Sequence, residues 1–159
     1  MAVNEKEKYM LEAIKKAEEN ILTGTGGPFG AVVVRDGKII VAVGNRVTST
    51  NDPTAHAEVV AIREACKELD TFDLSGCEIY ASCEPCPMCL GAIMWARIDK
   101  LYYAANRFDA SRAGFDDELF YSELALPIEK RMLKPTQLLQ MEANIVFDKW
   151  NETINKTPY

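Results

Sequence analysis

Histidine occurs once in the 159 residues of this chain. One imidazole excludes a three-histidine zinc site within the chain, and equally a site that needs one histidine for a metal and another as base. An excess of cations is also missing. Lys and Arg number 18 against 24 Asp and Glu, a net charge of -6, which argues against a surface built to bind polyanions. No apolar run approaches membrane-spanning length, and the opening stretch MAVNEKEKYMLEAIKKAEEN is too polar for a signal peptide. Five cysteines are an odd set, three of them tightly spaced. Without a secretory signal they point to reduced thiols in the cytoplasm and to metal or redox use, not to a disulfide framework. No repeat, low-complexity stretch or linker interrupts residues 1–159, so a single domain is expected. What is present is ordinary for a globular chain of this length: 48% hydrophobic and 26% charged residues, enough to bury one core.

Apolar spacing predicts the elements. Met10, Leu11, Ile14, Ala17 and Ile21 share one helical face over residues 4–21. Asn4 and Glu7 form a capping pair at its start, and Gly24 follows its end. Residues 29–34 and 38–43 are β-rich runs joined through Asp36-Gly37, a hairpin signal. Helices are expected over 56–69, 85–96 and 143–155, with a shorter one from about residue 116, and strands over 78–82, 100–105 and 136–141. A hairpin followed by strand–helix alternation implies an α/β fold, a mixed sheet covered by helices on both faces. The stretch Gly24-Thr-Gly-Gly27 precedes a strand and lacks the Gly-Lys-Ser/Thr ending of a phosphate loop, so it reads as a turn.

Two motifs carry chemistry: Thr54-Ala-His56-Ala-Glu58 and Cys83-Glu-Pro-Cys86-Pro-Met-Cys89. Cys86 and Cys89, three apart, lie on one face of a helix and reach a common ion. Pro53 before His56 and Pro85 before Cys86 place each motif at a helix start, where the missing N–H has no intrahelical partner to lose. Two helix N-termini aimed at one point favour thiolate and hydroxide there. His56 and Glu58, two apart, share a site only in a first turn, with the ion off the helix end. His56, Cys86 and Cys89 are therefore the candidate zinc ligands, leaving a fourth position for water, whose pKa the ion lowers towards about 7. Glu58, beside the site but outside the ligand set, is the candidate proton carrier. The arrangement H-x-E…P-C-x-x-C matches the signature of zinc-dependent base deaminases. Two other readings stay open at this point. A C-x-x-C alone suits a dithiol redox pair, though that leaves His-x-Glu unexplained. A closed structural zinc module of Cys83, Cys86, Cys89 and His56 would have no open position. Cys66 and Cys77 read as small buried hydrophobes.

On these motifs the chain is identified as a member of the cytidine deaminase-like superfamily. Within it, four stretches resemble the small, zinc-dependent bacterial guanine deaminases: Gly27-Pro-Phe-Gly-Ala-Val-Val-Val34, Asn51-Asp-Pro-Thr-Ala-His-Ala-Glu58, Ser82-Cys-Glu-Pro-Cys-Pro-Met-Cys-Leu-Gly-Ala-Ile93 and Ala113-Gly-Phe-Asp-Asp117. The resemblance implies a three-layer α/β/α sandwich with a mixed five-stranded sheet and one Zn2+ per subunit. It also implies a homodimer with an exchanged C-terminal segment, and a hydrolase that cuts the C–N bond of a cyclic amidine, converting guanine to xanthine and ammonia. Transfer-RNA adenosine deaminases are the nearest rivals, similar up to the second metal motif, and they typically carry a basic C-terminal helix. Here Lys130, Arg131, Lys134, Lys149 and Lys156 are balanced by Glu123, Glu129, Glu142, Asp148 and Glu152. With little to neutralise a phosphate backbone, a small purine base is the expected substrate, with no nucleic acid and no membrane as partner. Another small amino-heterocycle remains an alternative.

For guanine, attack falls at C2, and Glu58 carries the water's proton to N3 and then assists the leaving ammonia. Asn45, by resemblance, hydrogen-bonds the purine edge, an amide being donor and acceptor on one planar group. Asp117 accepts from purine N–H groups; the bland reading of Asp116 and Asp117 is an acidic helix start. Phe29 and Trp95 are aromatic candidates to sandwich the base, each equally suited to ordinary core. Tyr159 would ordinarily be a frayed tail; the resemblance implies instead that it closes over a site.

Overall fold

A computed structural model describes residues 4–159. Helix α1 (Glu5–Thr23) starts where the capping pair places it. Asn4 Oδ1 accepts from the Glu7 N–H at 2.9 Å and Glu7 Oε2 accepts from the Asn4 N–H at 3.0 Å, so two otherwise orphaned donors are satisfied. Gly24, at φ 68°, closes the other end in the left-handed conformation. Strands β1 (Gly30–Arg35) and β2 (Lys38–Gly44) form the expected hairpin, with Arg35 opposite Lys38. Its two turn residues, Asp36 and Gly37, both have positive φ, 50° and 72°, which matches the twist of the flanking strands.

Beyond the hairpin come α2 (Val47–Thr50), α3 (Ala57–Glu68), β3 (Cys77–Cys83), α4 (Pro87–Trp95), β4 (Lys100–Ala105) and α5 (Arg107–Arg112). The sheet runs β2-β1-β3-β4, with β1 antiparallel to both neighbours and β3 parallel to β4. Period-two alternation sorts its side chains. Val32, Val34 and Tyr80 pack under Ala13 of α1 on one face, while Ala31, Val33 and Ile79 meet Val60, Ala61 and Ala65 of α3 and Ile93 of α4 on the other. Helices thus cover both faces of a mixed sheet, as expected.

The strand count differs. Four strands, not five, pair among the described residues. Residues 136–139 are irregular and α7 (Gln140–Glu152) begins inside the expected strand. Leu139 explains this: its φ of 53° and ψ of 44° are left-handed, which breaks an extended run and turns the chain into the helix. The last helix accordingly starts and ends earlier than the expected 143–155. The helix-opening proline of the second motif is Pro87, in the first turn of α4, instead of Pro85.

The chain divides into two compact units, Met1–Asp117 and Glu118–Tyr159. The first holds the sheet and α1–α5. The second holds α6 (Glu118–Ala125), a 3-10 turn (Ile128–Lys130) and α7, and none of the residues in these elements is buried. Among the described residues no helix is long and apolar enough to cross a membrane.

Candidate metal centre

His56 and Cys86 occupy equivalent places, the N-cap of α3 and the N-cap of α4, both with extended backbone. Neither side chain caps its helix. They turn towards each other: His56 Nδ1 lies 3.6 Å from Cys86 Sγ and 3.5 Å from Cys89 Sγ, one turn into α4. All three donor atoms fall within 4.8 Å of one another. Zn–S bonds of about 2.3 Å and Zn–N bonds of about 2.0 Å at a tetrahedral angle place N and S roughly 3.5 Å apart, so this cluster fits the ion in spacing and in donor chemistry. Cys83 stands outside it, its Sγ donating to the Asn106 carbonyl at 3.7 Å. The closed four-ligand alternative therefore lacks its fourth sulfur.

Glu58 is the second residue of α3 and only 7% exposed. Its Oε2 accepts from Cys89 Sγ at 3.4 Å, so the carboxyl lies against the donor cluster without belonging to it. Burial pushes the Glu58 carboxyl above the usual carboxylate range, which suits a group that both takes and returns a proton. Hydrogen bonds from Cys89 and His56 pull the Cys86 thiol down to about 4, and the same contact with Cys86, with burial, raises Cys89. His56 is raised by its bond to Cys86. A cation bound here would compete with protons for these donor atoms.

The loops after the parallel pair β3 and β4 frame this centre, where α/β sheets commonly bind ligands. Glu84 ties them together, its N–H donating to Ala105 O at 2.8 Å and its carboxylate accepting from the Arg107 N–H at 3.0 Å. Asn45, at the end of β2, is 5% exposed. The Arg46 N–H donates to Ala55 O at 2.9 Å, one residue before His56, which joins the Asn45 segment to the metal loop. Asn45 Oδ1 is already taken by the Gly27 and Val47 N–H groups at 3.2 and 3.0 Å. Only its NH2 group remains to meet a ligand, so the expected donor-and-acceptor role narrows to donor. Asp117 is half-buried, its carboxyl raised by that burial and by the charge of Cys86. Phe29 meets Phe115 edge to face, centroids 4.8 Å apart. Trp95 stands at the far end of α4 from Cys86, roughly 13 Å along the helix axis, and is mostly exposed. Tyr159 ends the second unit, also exposed.

Sequence reasoning missed Asn20 and Glu84. Asn20 left a faint signal as a polar residue inside an apolar helical stripe; Glu84 left none, because its partners lie in a distant loop.

Residues 3–105 match the family described as the cytidine and deoxycytidylate deaminase zinc-binding region, and the chain belongs to that family. Over 153 residues it is 50% identical to the guanine deaminase of Bacillus subtilis, covering 96% of this chain and 98% of that protein. The crystal structure of that enzyme superposes with a TM-score of 0.93. A tRNA-specific adenosine deaminase of Aquifex aeolicus is 43% identical over 100 residues, 63% of this chain and 66% of that one. The structure of NE0047 in complex with 2,6-diaminopurine matches at 33% identity and a TM-score of 0.67, covering 100% of this chain and 87% of that one.

Proposed function

We propose that this protein is a zinc hydrolase that deaminates guanine to xanthine and ammonia. The observation that carries the reaction class is the buried Glu58 carboxyl set against the His56–Cys86–Cys89 cluster. The choice of guanine is supported by a likeness to a guanine deaminase that runs through nearly the whole chain, where the RNA-acting relative matches about two thirds of it. A purine ligand is further supported by the diaminopurine bound to NE0047.

His56, Cys86 and Cys89 would hold one zinc ion per subunit. When bound, the metal supplies Lewis acidity, lowering the pKa of a water molecule towards about 7. The rest falls to the chain's own groups. Glu58 takes a proton from water as the oxygen bonds to C2 and delivers it to N3 of the purine. It then takes the second proton from the new C2 hydroxyl and gives it to the amino group, so that the C–N bond breaks and ammonia leaves as the C2 carbonyl forms. The burial of Glu58 disfavours its charged form, which favours taking up the water's proton. The Asn45 NH2 donates to an acceptor on the purine edge, and Asp117 accepts from ring N–H groups, a charge-assisted bond. Phe29, braced by Phe115, offers an aromatic surface to the ring; Trp95 and Tyr159 are proposed as further contacts. A homodimer with exchanged C-terminal segments is supported by the exposure of Leu124, Leu133, Met141 and Phe147 in a unit whose helices bury no residue. A cytoplasmic location is proposed from the reduced-thiol composition.

The test is ammonia release from a panel of guanine, guanosine, cytosine, adenine and a transfer-RNA anticodon stem, with and without chelator. Zinc-dependent release from guanine is expected. Release that persists in verified metal-free protein, or that occurs from the RNA and not from guanine, overturns the proposal.

A further inference from the structure

Three polar or charged residues are buried among those described: Glu58, Asn45 and Asn20. The first two belong to the candidate site. Asn20 belongs to α1, which packs on the opposite face of the sheet from α3 and α4, and the mechanism above makes no use of it. A buried amide is costly to keep unless its hydrogen bonds are specific, and those of Asn20 are. Its Nδ2 donates to Asn45 O at 2.7 Å and to Gly27 O at 3.0 Å. Gly27 in turn donates its N–H to Asn45 Oδ1. Asn20, Gly27 and Asn45 therefore close a ring of hydrogen bonds that holds both the backbone and the carboxamide plane of Asn45. The chain makes room for this ring with glycine. A Cβ at Gly44 would collide with the Asn20 carboxamide, and one at Gly26 with the Asn45 carbonyl. Neither glycine has positive φ, so close approach, not backbone conformation, is what those positions require.

We infer that Asn20 is a positioning residue for the purine. It fixes where the Asn45 NH2 group points, and so sets substrate affinity from the helix layer on the other side of the sheet. This rests on the reading of Asn45 as a purine contact. Asn20 does not touch the zinc ligands, so its loss acts on substrate binding and leaves the metal in place.

Three variants, Asn20→Leu, Asn45→Ala and the double variant, separate the two claims, with kcat and KM for guanine, zinc content and thermal melting measured on each. Asn20→Leu is expected to raise KM by about tenfold with kcat changed less than about threefold and zinc content unchanged. Because both residues act through one contact, the double variant should fall within about twofold of Asn45→Ala in kcat/KM. A wild-type KM in Asn20→Leu alongside an impaired Asn45→Ala overturns the inference, as do losses that multiply in the double variant. A wild-type KM in Asn45→Ala overturns the reading of Asn45 itself, and the inference with it. Should Asn20→Leu yield no folded protein, Gly44→Ala displaces the same carboxamide without deleting a donor, and its KM decides by the same criteria.

Discussion

Helices α1 and α4 begin in opposite ways. Asn4 closes the start of α1 with a full capping box, and Asn106 does the same for α5. At the starts of α4 and α3 the N-cap positions are held by Cys86 and His56, which give their helices no side-chain cap. Asparagine is among the best N-cap residues, and replacing a good cap costs about 1 kcal/mol. The two structural helices are finished locally, whereas the two functional ones turn the N-cap side chain to the metal cluster. Departure from local rules at a site that does chemistry is the expected pattern. Here it also leaves the positive ends of two helices facing the thiolates.

The largest expected effect comes from restoring a conventional cap. Cys86→Ser should weaken zinc binding by more than about a hundredfold and take ammonia release below detection, as metal analysis and a steady-state assay will report. Zinc retained at the wild-type level would remove Cys86 from the ligand set. Next in size, Glu58→Gln should keep its zinc yet lose about 10²- to 10⁴-fold in kcat; unchanged turnover would assign the proton transfers to another group.

Alkylation then separates the sulfurs of the metal-free protein. Cys86, held down to about 4, stays a thiolate through neutral pH, while burial pushes Cys83 up to about 11 and keeps it a thiol. Iodoacetamide should therefore modify Cys86 at least about tenfold faster. Its rate should be flat between about pH 6 and 8, whereas that of Cys83 climbs with pH. Peptide mass spectrometry reads both, and equal rates would contradict the assignment.

One smaller effect addresses a cap itself. Asn4→Ala should lose about 1 kcal/mol with zinc content and kcat untouched. A change in turnover there would mean that the two classes of helix start are not independent.

Much of this contrast was legible in the sequence because it is local. The Asn4–Glu7 pair, the Asp36-Gly37 turn, the alternation of β4 and the internal spacings of His-x-Glu and of Cys-x-x-Cys all rest on separations of four residues or fewer. What escaped depends on contacts between distant segments or on single backbone angles. Nothing in the neighbourhood of Asn45 reveals that Gly27, 18 residues away, already binds its oxygen. The strand expected over 136–141 fails on one left-handed residue, Leu139, whose apolar character reads as extended chain.

The hairpin turn offers a different use. β1 leaves Gly30 beside the Asn45 segment and reaches Asp36-Gly37 six residues later, about 20 Å away at the rise of an extended strand. At that turn the Tyr9 hydroxyl donates to Gly37 O at 2.7 Å. A peptide or a reporter spliced between Asp36 and Gly37 would therefore sit at the remote end of the sheet, giving an engineered sensor or immobilised catalyst an attachment point on rigid strands with the substrate face left clear.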